Sequence, residues 1–335
     1  MMKKTNLWIL TEERIKTNVV QKIISKSSDV KKLDISIKNL VIIPQYNNQK
    51  FKHIYLVKGF CSNKINNIFI RSVKGETSFV DFLVYLQNEK PEPSQMLSNC
   101  IYAIEETKTS TFDSRNTAMG QRSTKFLFLD YYLNKYKYTY KSIMYFSHKQ
   151  PENDHHSVIF VNRMLLHLNI SIEFWGKKLK HLKKFNNLNE FIDEKNRISD
   201  TNTRKNDTPI YIKKNSQNIE ISALLANPNN KNQNYSGRIK HDPNMGQVPL
   251  IAYTLRKLGW KGKILITKHQ IKQKAVSSMR GNKFTYLAGY IGFELSGIKF
   301  NKNSSIMPKK YWQYDKKNEK VASILAQVIL ESKGM

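Results

Sequence analysis

Cysteine is nearly absent from this chain of 335 residues: Cys61 and Cys100 are the two it has, and they are far from Cys-x-x-Cys spacing. That excludes a disulfide-stapled scaffold and a cysteine-rich zinc module. Long apolar runs are missing too. None approaches the roughly 18 residues of a membrane span, and the short one near the start is cut off by Glu12 and Glu13 too early for a signal peptide. No G-x-x-x-x-G-K-[ST] loop occurs, so a nucleotide-driven motor and a nucleotide cofactor are not expected. The expectation is a soluble, cytoplasmic protein with no membrane partner.

Carboxylates are the third scarcity. Asp and Glu number 26 against 56 Lys and Arg, a formal charge of +30, with an isoelectric point near 9.9. Such an excess favours polyanionic partners, nucleic acid first and anionic membrane second. What the chain does have is the material for a core. Hydrophobic residues make up 40% and aromatics 11%, and the length suits one large or two modest domains.

Residues 11 to 26 place Ile15, Val19, Ile23 and Ile24 on one helical face, with Thr11 as N-cap and acids in the first turn. Then "LVIIPQ", "HIYLVKGF", "NIFIRSV", "DFLVYL", "CIYAIEET" and "SIMYFS" read as strands separated by Asn and Lys clusters. A helix is expected within "NTAMGQRSTKFLFLDYYLNKY", another over 156–168, and a strand at "ISIEFW". Strands interleaved with helices point to an α/β fold with a mixed central β-sheet flanked by helices.

Residues 1–70 are expected to pack a helix and strands on a core spanning 71–176. Residues 177–236, dense in Lys and Asn, read as a linker or exposed loops with one strand at "PIYIKK". Residues 237–335 read as an additional basic C-terminal lobe: turn, helix, glycine turn and strand after "HDPN", and an apolar-striped terminal helix. The segment "DHHSVIFVNRMLLHLNISIEFWG" has a loose echo in "HDPNMGQVPLIAYTLRKLGWKGKILIT".

The charges at the end of "CIYAIEETK" call for an explanation. Strand periodicity puts Glu106 and Lys108 on one face, directly after the apolar "IYAI". Other acid-x-Lys triplets, Asp29 to Lys31, Asp193 to Lys195 and Asp315 to Lys317, lie in polar, loop-like surroundings. Upstream, Asp81 stands at the entry to "FLVYL". Two carboxylates at one point can hold Mg²⁺, which takes few carboxylates together with waters and phosphate oxygens. A lysine there can orient water or offset negative charge on phosphorus. A Glu106–Lys108 surface pair is the plain alternative.

"VDFLVYL … YAIEETK" resembles the PD-(D/E)xK nuclease superfamily, type II restriction endonucleases included. The resemblance covers about residues 70–150, and Val80 stands where the superfamily often has proline. It implies a restriction-endonuclease-like core over 71–176, with Asp81 and Glu106 as Mg²⁺ ligands and Lys108 as the catalytic lysine. Gln121 or Lys125 would lie near the attacking water, and Glu76 is a candidate additional acid. It further implies double-stranded DNA as substrate and a homodimer.

Arg115, Asn116, Arg122 and Lys125 follow the triplet among small hydroxyl residues, a composition suited to phosphate contacts. The C-terminal lobe interleaves basic clusters with aromatics, as a DNA-reading half would. Two alternatives stand beside a restriction-type enzyme: a repair, recombination or transposon-end nuclease of the same superfamily, and a non-catalytic nucleic-acid-binding protein. An HNH-like set of Asp154, His155, Asn162 and His167 is disfavoured, because the spacing leaves no room for that motif's hairpin.

Overall fold

The computed structural model describes residues 4–11, 15–47, 50–72, 80–92, 95, 97–107, 123, 125–146, 156–174, 177–178, 182–201, 210–223, 243–268 and 298–299. The fold is α/β with a large mixed sheet and flanking helices. The chain divides into two compact units. Among the described residues the first takes the chain up to Glu106 together with 133–145, and the second takes Thr107–Tyr132 and the chain from Phe146 on.

In the first unit, β1 (Thr5–Thr11), β2 (Ile35–Asn47), β3 (Lys50–Ser62), β4 (Ile65–Ser72), β5 (Phe82–Leu86), β6 (Cys100–Thr107) and β7 (Lys141–Phe146) lie in the order β2-β3-β4-β1-β5-β6-β7. β1 runs parallel to β4 and antiparallel to β5, which pairs antiparallel with β6. The central strands are buried on both faces: Leu7 to Leu10, Phe82 to Tyr85 and Ile101 to Ile104 all exclude solvent. A strand buried on both sides reads as a continuous apolar run, without the alternation of a half-exposed strand.

The opening helix α1 (Thr17–Lys31) starts six residues later than expected. Thr11 is the last residue of β1 rather than an N-cap, and Lys16 holds the cap position without a side-chain hydrogen bond. Val19, Val20, Ile23 and Ile24 form the buried stripe of α1 and join one core cluster with Leu7, Ile9, Ile68, Ile70, Phe82, Val84, Tyr102, Ile104 and Ile143. Two polar ties fix the helix on the sheet. Tyr102 donates its hydroxyl to the Lys26 carbonyl at 3.3 Å, and the Lys22 ammonium donates to the Tyr145 hydroxyl at 3.0 Å.

The second unit carries helices α2 (Lys125–Lys135), α3 (His156–His167), α4 (Leu188–Thr201) and α5 (Pro243–Lys257), α2 having its last residues in the first unit. A short ribbon pairs β8 (Ser171–Phe174) with β9 (Lys177–Lys178), and a four-stranded sheet has the order β10-β11-β12-β13. Its strands are Ile210–Lys214, Asn218–Ala223, Lys263–Lys268 and Ile298–Lys299. The expected linker at 177–236 is therefore corrected. It holds α4, β10 and β11, and the triplet from Asp193 to Lys195 lies on a helix with Lys195 buried.

The echo between the two helix–strand segments has a physical basis in a shared helix stop. In α3 the N–H of Ile170 returns to Leu165 O at 3.1 Å past Asn169 at φ 55°; in α5 Trp260 returns to Leu255 O at 3.0 Å past Gly259 at φ 92°. Both are left-handed C-caps. The expected terminal helix and the basic clusters beyond residue 268, apart from 298–299, lie outside the described residues.

α3 and α4 are joined by charge. The Arg163 guanidinium donates to Glu190 and Glu194 and stacks 4.0 Å over the Phe185 ring. Hydrogen bonding from Arg163 holds the Glu190 carboxyl below the usual carboxylate range. His167, expected by one discarded reading as part of a metal site, accepts the Phe185 N–H on Nε2 at 3.0 Å. Burial, then the charges of Lys184 and Arg163, push its pKa down.

Both shifts have the same sign. Each folded pKa lies below its ordinary value, so each contributes stability that is complete above that value and is lost as pH falls towards the folded one. Acid denaturation of the second unit should therefore show two losses, one beginning below the ordinary histidine value of 6.5 and one below the ordinary carboxylate value of 4.5. Chemical denaturation of wild type and Arg163→Met across pH checks this. The lower loss should shrink in the variant, and an unchanged profile would contradict the assignment.

Candidate active site at the end of a buried strand

β5 and β6 bring the first two candidate residues together. The register pairs Phe82 with Ile104, which leaves Asp81 just before one strand and Glu105 and Glu106 towards the end of the other. A buried backbone N–H without a partner is costly. Here the Asp81 carboxylate takes that role, its Oδ2 accepting the Glu106 N–H at 2.7 Å. This bond ties the aspartate to the main chain of the glutamate.

The Glu106 side chain follows Tyr102 and Ile104 by strand alternation, on the side where Tyr102 meets α1. It is almost wholly buried, at 2% exposure, and its Oε1 has no hydrogen-bond partner among the described residues. The Lys16 ammonium lies 3.9 Å away, with its side chain 39% exposed. That is an ion pair at the outer limit of the contact range, made by a flexible chain that solvent reaches. Glu105 is buried as well.

Comparison with known proteins gives no match: no family model, no curated sequence and no solved structure matches this chain. The site is accordingly read from its own chemistry.

The donor set fits a hard divalent cation. Mg²⁺ is held by one or two carboxylates and keeps several waters, so it does not need a cage of three or more protein ligands. Among the described residues no group of three or more His, Cys, Asp and Glu side chains is placed to hold a metal ion. The buried Oε1 of Glu106 without a donor is the specific observation in favour, since such an atom costs about 1–3 kcal/mol until a donor or cation satisfies it.

Lys108, Gln121, Arg115, Asn116, Arg122 and Glu76 lie outside the described residues, and Lys125 opens α2 with its side chain undescribed. Lys16 was not singled out from sequence. It stands in "EERIKTN" as one helix-boundary lysine among many, and only the packing of α1 on the sheet brings it to Glu106.

Cys100 is excluded as a nucleophile, because burial pushes its thiol up to about 12. Of the HNH-like set, Asp154 and His155 lie outside the described residues. Asn162 is buried in α3, and the His167 Nε2 is committed to a backbone N–H.

Glu106→Gln separates the two uses of this carboxylate. Without divalent ions the variant should melt no earlier than wild type, because a charge in a tight site is removed and the shape is kept. With millimolar Mg²⁺ wild type should gain thermal stability and the variant should not. Equal Mg²⁺ responses in scanning calorimetry would contradict a metal role for Glu106.

Proposed function

We propose that the protein is a Mg²⁺-dependent, sequence-specific endonuclease of double-stranded DNA, with a restriction-endonuclease-like core. The observation that carries the proposal is the Asp81 carboxylate bound to the Glu106 N–H at one strand end, beside a buried Glu106 Oε1 that has no hydrogen-bond donor among the described residues. The sequence continues from there to Lys108 at the superfamily's spacing, and the net charge of +30 suits a polyanionic substrate.

In this reading Asp81 and Glu106 hold Mg²⁺, which when bound supplies positive charge to the phosphate oxygens. Lys108 orients the attacking water and offsets charge developing on phosphorus. Gln121 assists in placing that water, and Arg115, Asn116, Arg122 and Lys125 hold the DNA backbone. Water forms the new O–P bond, and the P–O bond to the leaving sugar oxygen breaks. The described tie between Asp81 and the Glu106 backbone keeps the two carboxylates in register through this exchange. Two-strand cleavage is assigned to a homodimer, and the basic C-terminal lobe to reading the duplex.

Incubation of wild type and Glu106→Ala with several mapped DNAs, with Mg²⁺ or chelator, tests the proposal. Discrete fragments are expected from wild type with Mg²⁺ alone, with at least a 100-fold loss of rate in the variant, the size usual for removing a group that stabilises the transition state. Preference for branched or damaged DNA would move the reading to a repair, recombination or transposon-end nuclease. Retention of DNA in a gel shift without cleavage of any substrate would leave a non-catalytic binding protein.

A further inference from the structure

β2 and β3 are each 13 residues long and form an antiparallel pair with β2 at the sheet edge. Among the described residues β4 pairs with β3 from Ile54 to Val57, whereas the β2–β3 ladder runs on through Tyr46↔Phe51 to Asn47↔Lys50. The distal part is thus a two-stranded ribbon that outruns its sheet. One face packs inward, with Ile35, Ile37, Leu40 and Ile42 against the core cluster and Val57 fully buried. On the other, Val41 is 53% exposed opposite Lys58 and Ile43 is 40% exposed; nearer the tip, Tyr46 is 65% exposed.

Charge sets this element apart. Between Asp34 and Glu76 the chain contains no carboxylate, and the ribbon carries Lys38, Lys50, Lys52, His53 and Lys58. Its tip, "QYNNQKFKH", is made of amides, bases and aromatics. Lys38, His53 and Lys58 are exposed.

We infer that the β2–β3 ribbon is a duplex-DNA contact that enters the major groove, separate from the basic segments after the Glu106 strand and in the C-terminal lobe. The inference rests on the proposed function only for the class of partner. A two-stranded β-ribbon fits the major groove of B-DNA. There the lysines neutralise phosphates, and Val41 and Ile43 suit thymine methyl groups and sugars.

A second copy of the chain is the competing occupant, and the edge itself is built against it. The β2–β3 ladder breaks between Ile37 and Val41 and again between Pro44 and Tyr46. At the first break Gly59 has φ +84°, and a Cβ there would lie 1.5 Å from Asn39 O. Pro44 offers no N–H. Bulges, an edge proline and lysines are the devices that stop strand-to-strand addition, while the extra twist of a bulged ribbon is compatible with following a groove.

The test is fluorescence anisotropy in chelator, with a labelled duplex of about 20 base pairs, roughly two helical turns, over a salt series. Wild type is compared with the quadruple variant Lys38→Gln, Lys50→Gln, Lys52→Gln, Lys58→Gln, and with the matching four-fold Lys→Arg protein. Each lost phosphate contact lowers the slope of log affinity against log salt by about 0.9, so the Gln variant should lose about 2 to 4 units of slope and at least ten-fold in affinity. The Arg protein should bind like wild type.

If the quadruple variant melts early, Lys38→Gln with Lys58→Gln carries the same test with a slope loss of up to about 2. Unchanged affinity and slope in the Gln variant would overturn the ribbon contact and leave the nuclease proposal standing. No duplex binding by wild type would overturn both. If sedimentation shows that Val41→Asn with Ile43→Asn splits a wild-type dimer while DNA affinity holds, the face belongs to a second copy and the inference fails.

Discussion

A carboxylate buried at the end of a strand is the constraint on which the rest of this site depends. Glu106 is enclosed by the same packing that fills the core between α1 and the sheet, yet one of its oxygens has no hydrogen-bond donor among the described residues and its cationic neighbour is a half-solvated lysine 3.9 Å away. Removing a charged group from water costs several kcal/mol unless a counter-charge or donors replace the hydration. Glu106 has one described counter-charge, the partly exposed Lys16 ammonium, so the site has room for a stronger one.

The surrounding structure holds that arrangement in place. The sheet fixes β5 against β6, the Asp81 carboxylate closes the open end of their ladder by taking the Glu106 N–H, and α1 seals the face through Tyr102 and its own aliphatic stripe. Glu106 is positioned by a strand, and Asp81, in the bend that leads into β5, is held to that strand by its carboxylate. Sites on strands and helices hold geometry better than sites on loops. The beginning of α1 adds Lys16, which links the first helix of the chain to a strand end some ninety residues later.

Much of this was legible in the sequence. β5 and β6 announce themselves as apolar runs with acids at their ends, and reading them as adjacent antiparallel strands puts Asp81 beside the end of β6 that carries Glu105 and Glu106. β1 was not legible, because a strand buried on both faces lacks alternation, and Thr11 after "LWIL" imitates a helix cap. α4 was hidden by composition. Its buried stripe is Phe191, Ile192, Lys195, Ile198 and Ser199, at helical spacing, but two of the five are polar. Lys195 is accommodated by Ser199 Oγ at 3.1 Å and by the Phe160 ring, partners that no local pattern reveals. The β2–β3 ribbon reads as two ordinary strands until the register shows that it outruns β4 and that its edge is bulged.

The central claim is that Asp81 and Glu106 together hold a divalent cation. Its most direct test is anomalous diffraction from crystals of the protein grown or soaked with Mn²⁺, a scatterer that takes the same oxygen ligands as Mg²⁺. The account predicts an anomalous peak within bonding distance of one oxygen of each residue, lost in Asp81→Ala. A lysine ammonium filling the space beside Glu106 Oε1, with no peak there in the wild-type crystal, would contradict it and make the two acids a structural closure of the β5–β6 ladder.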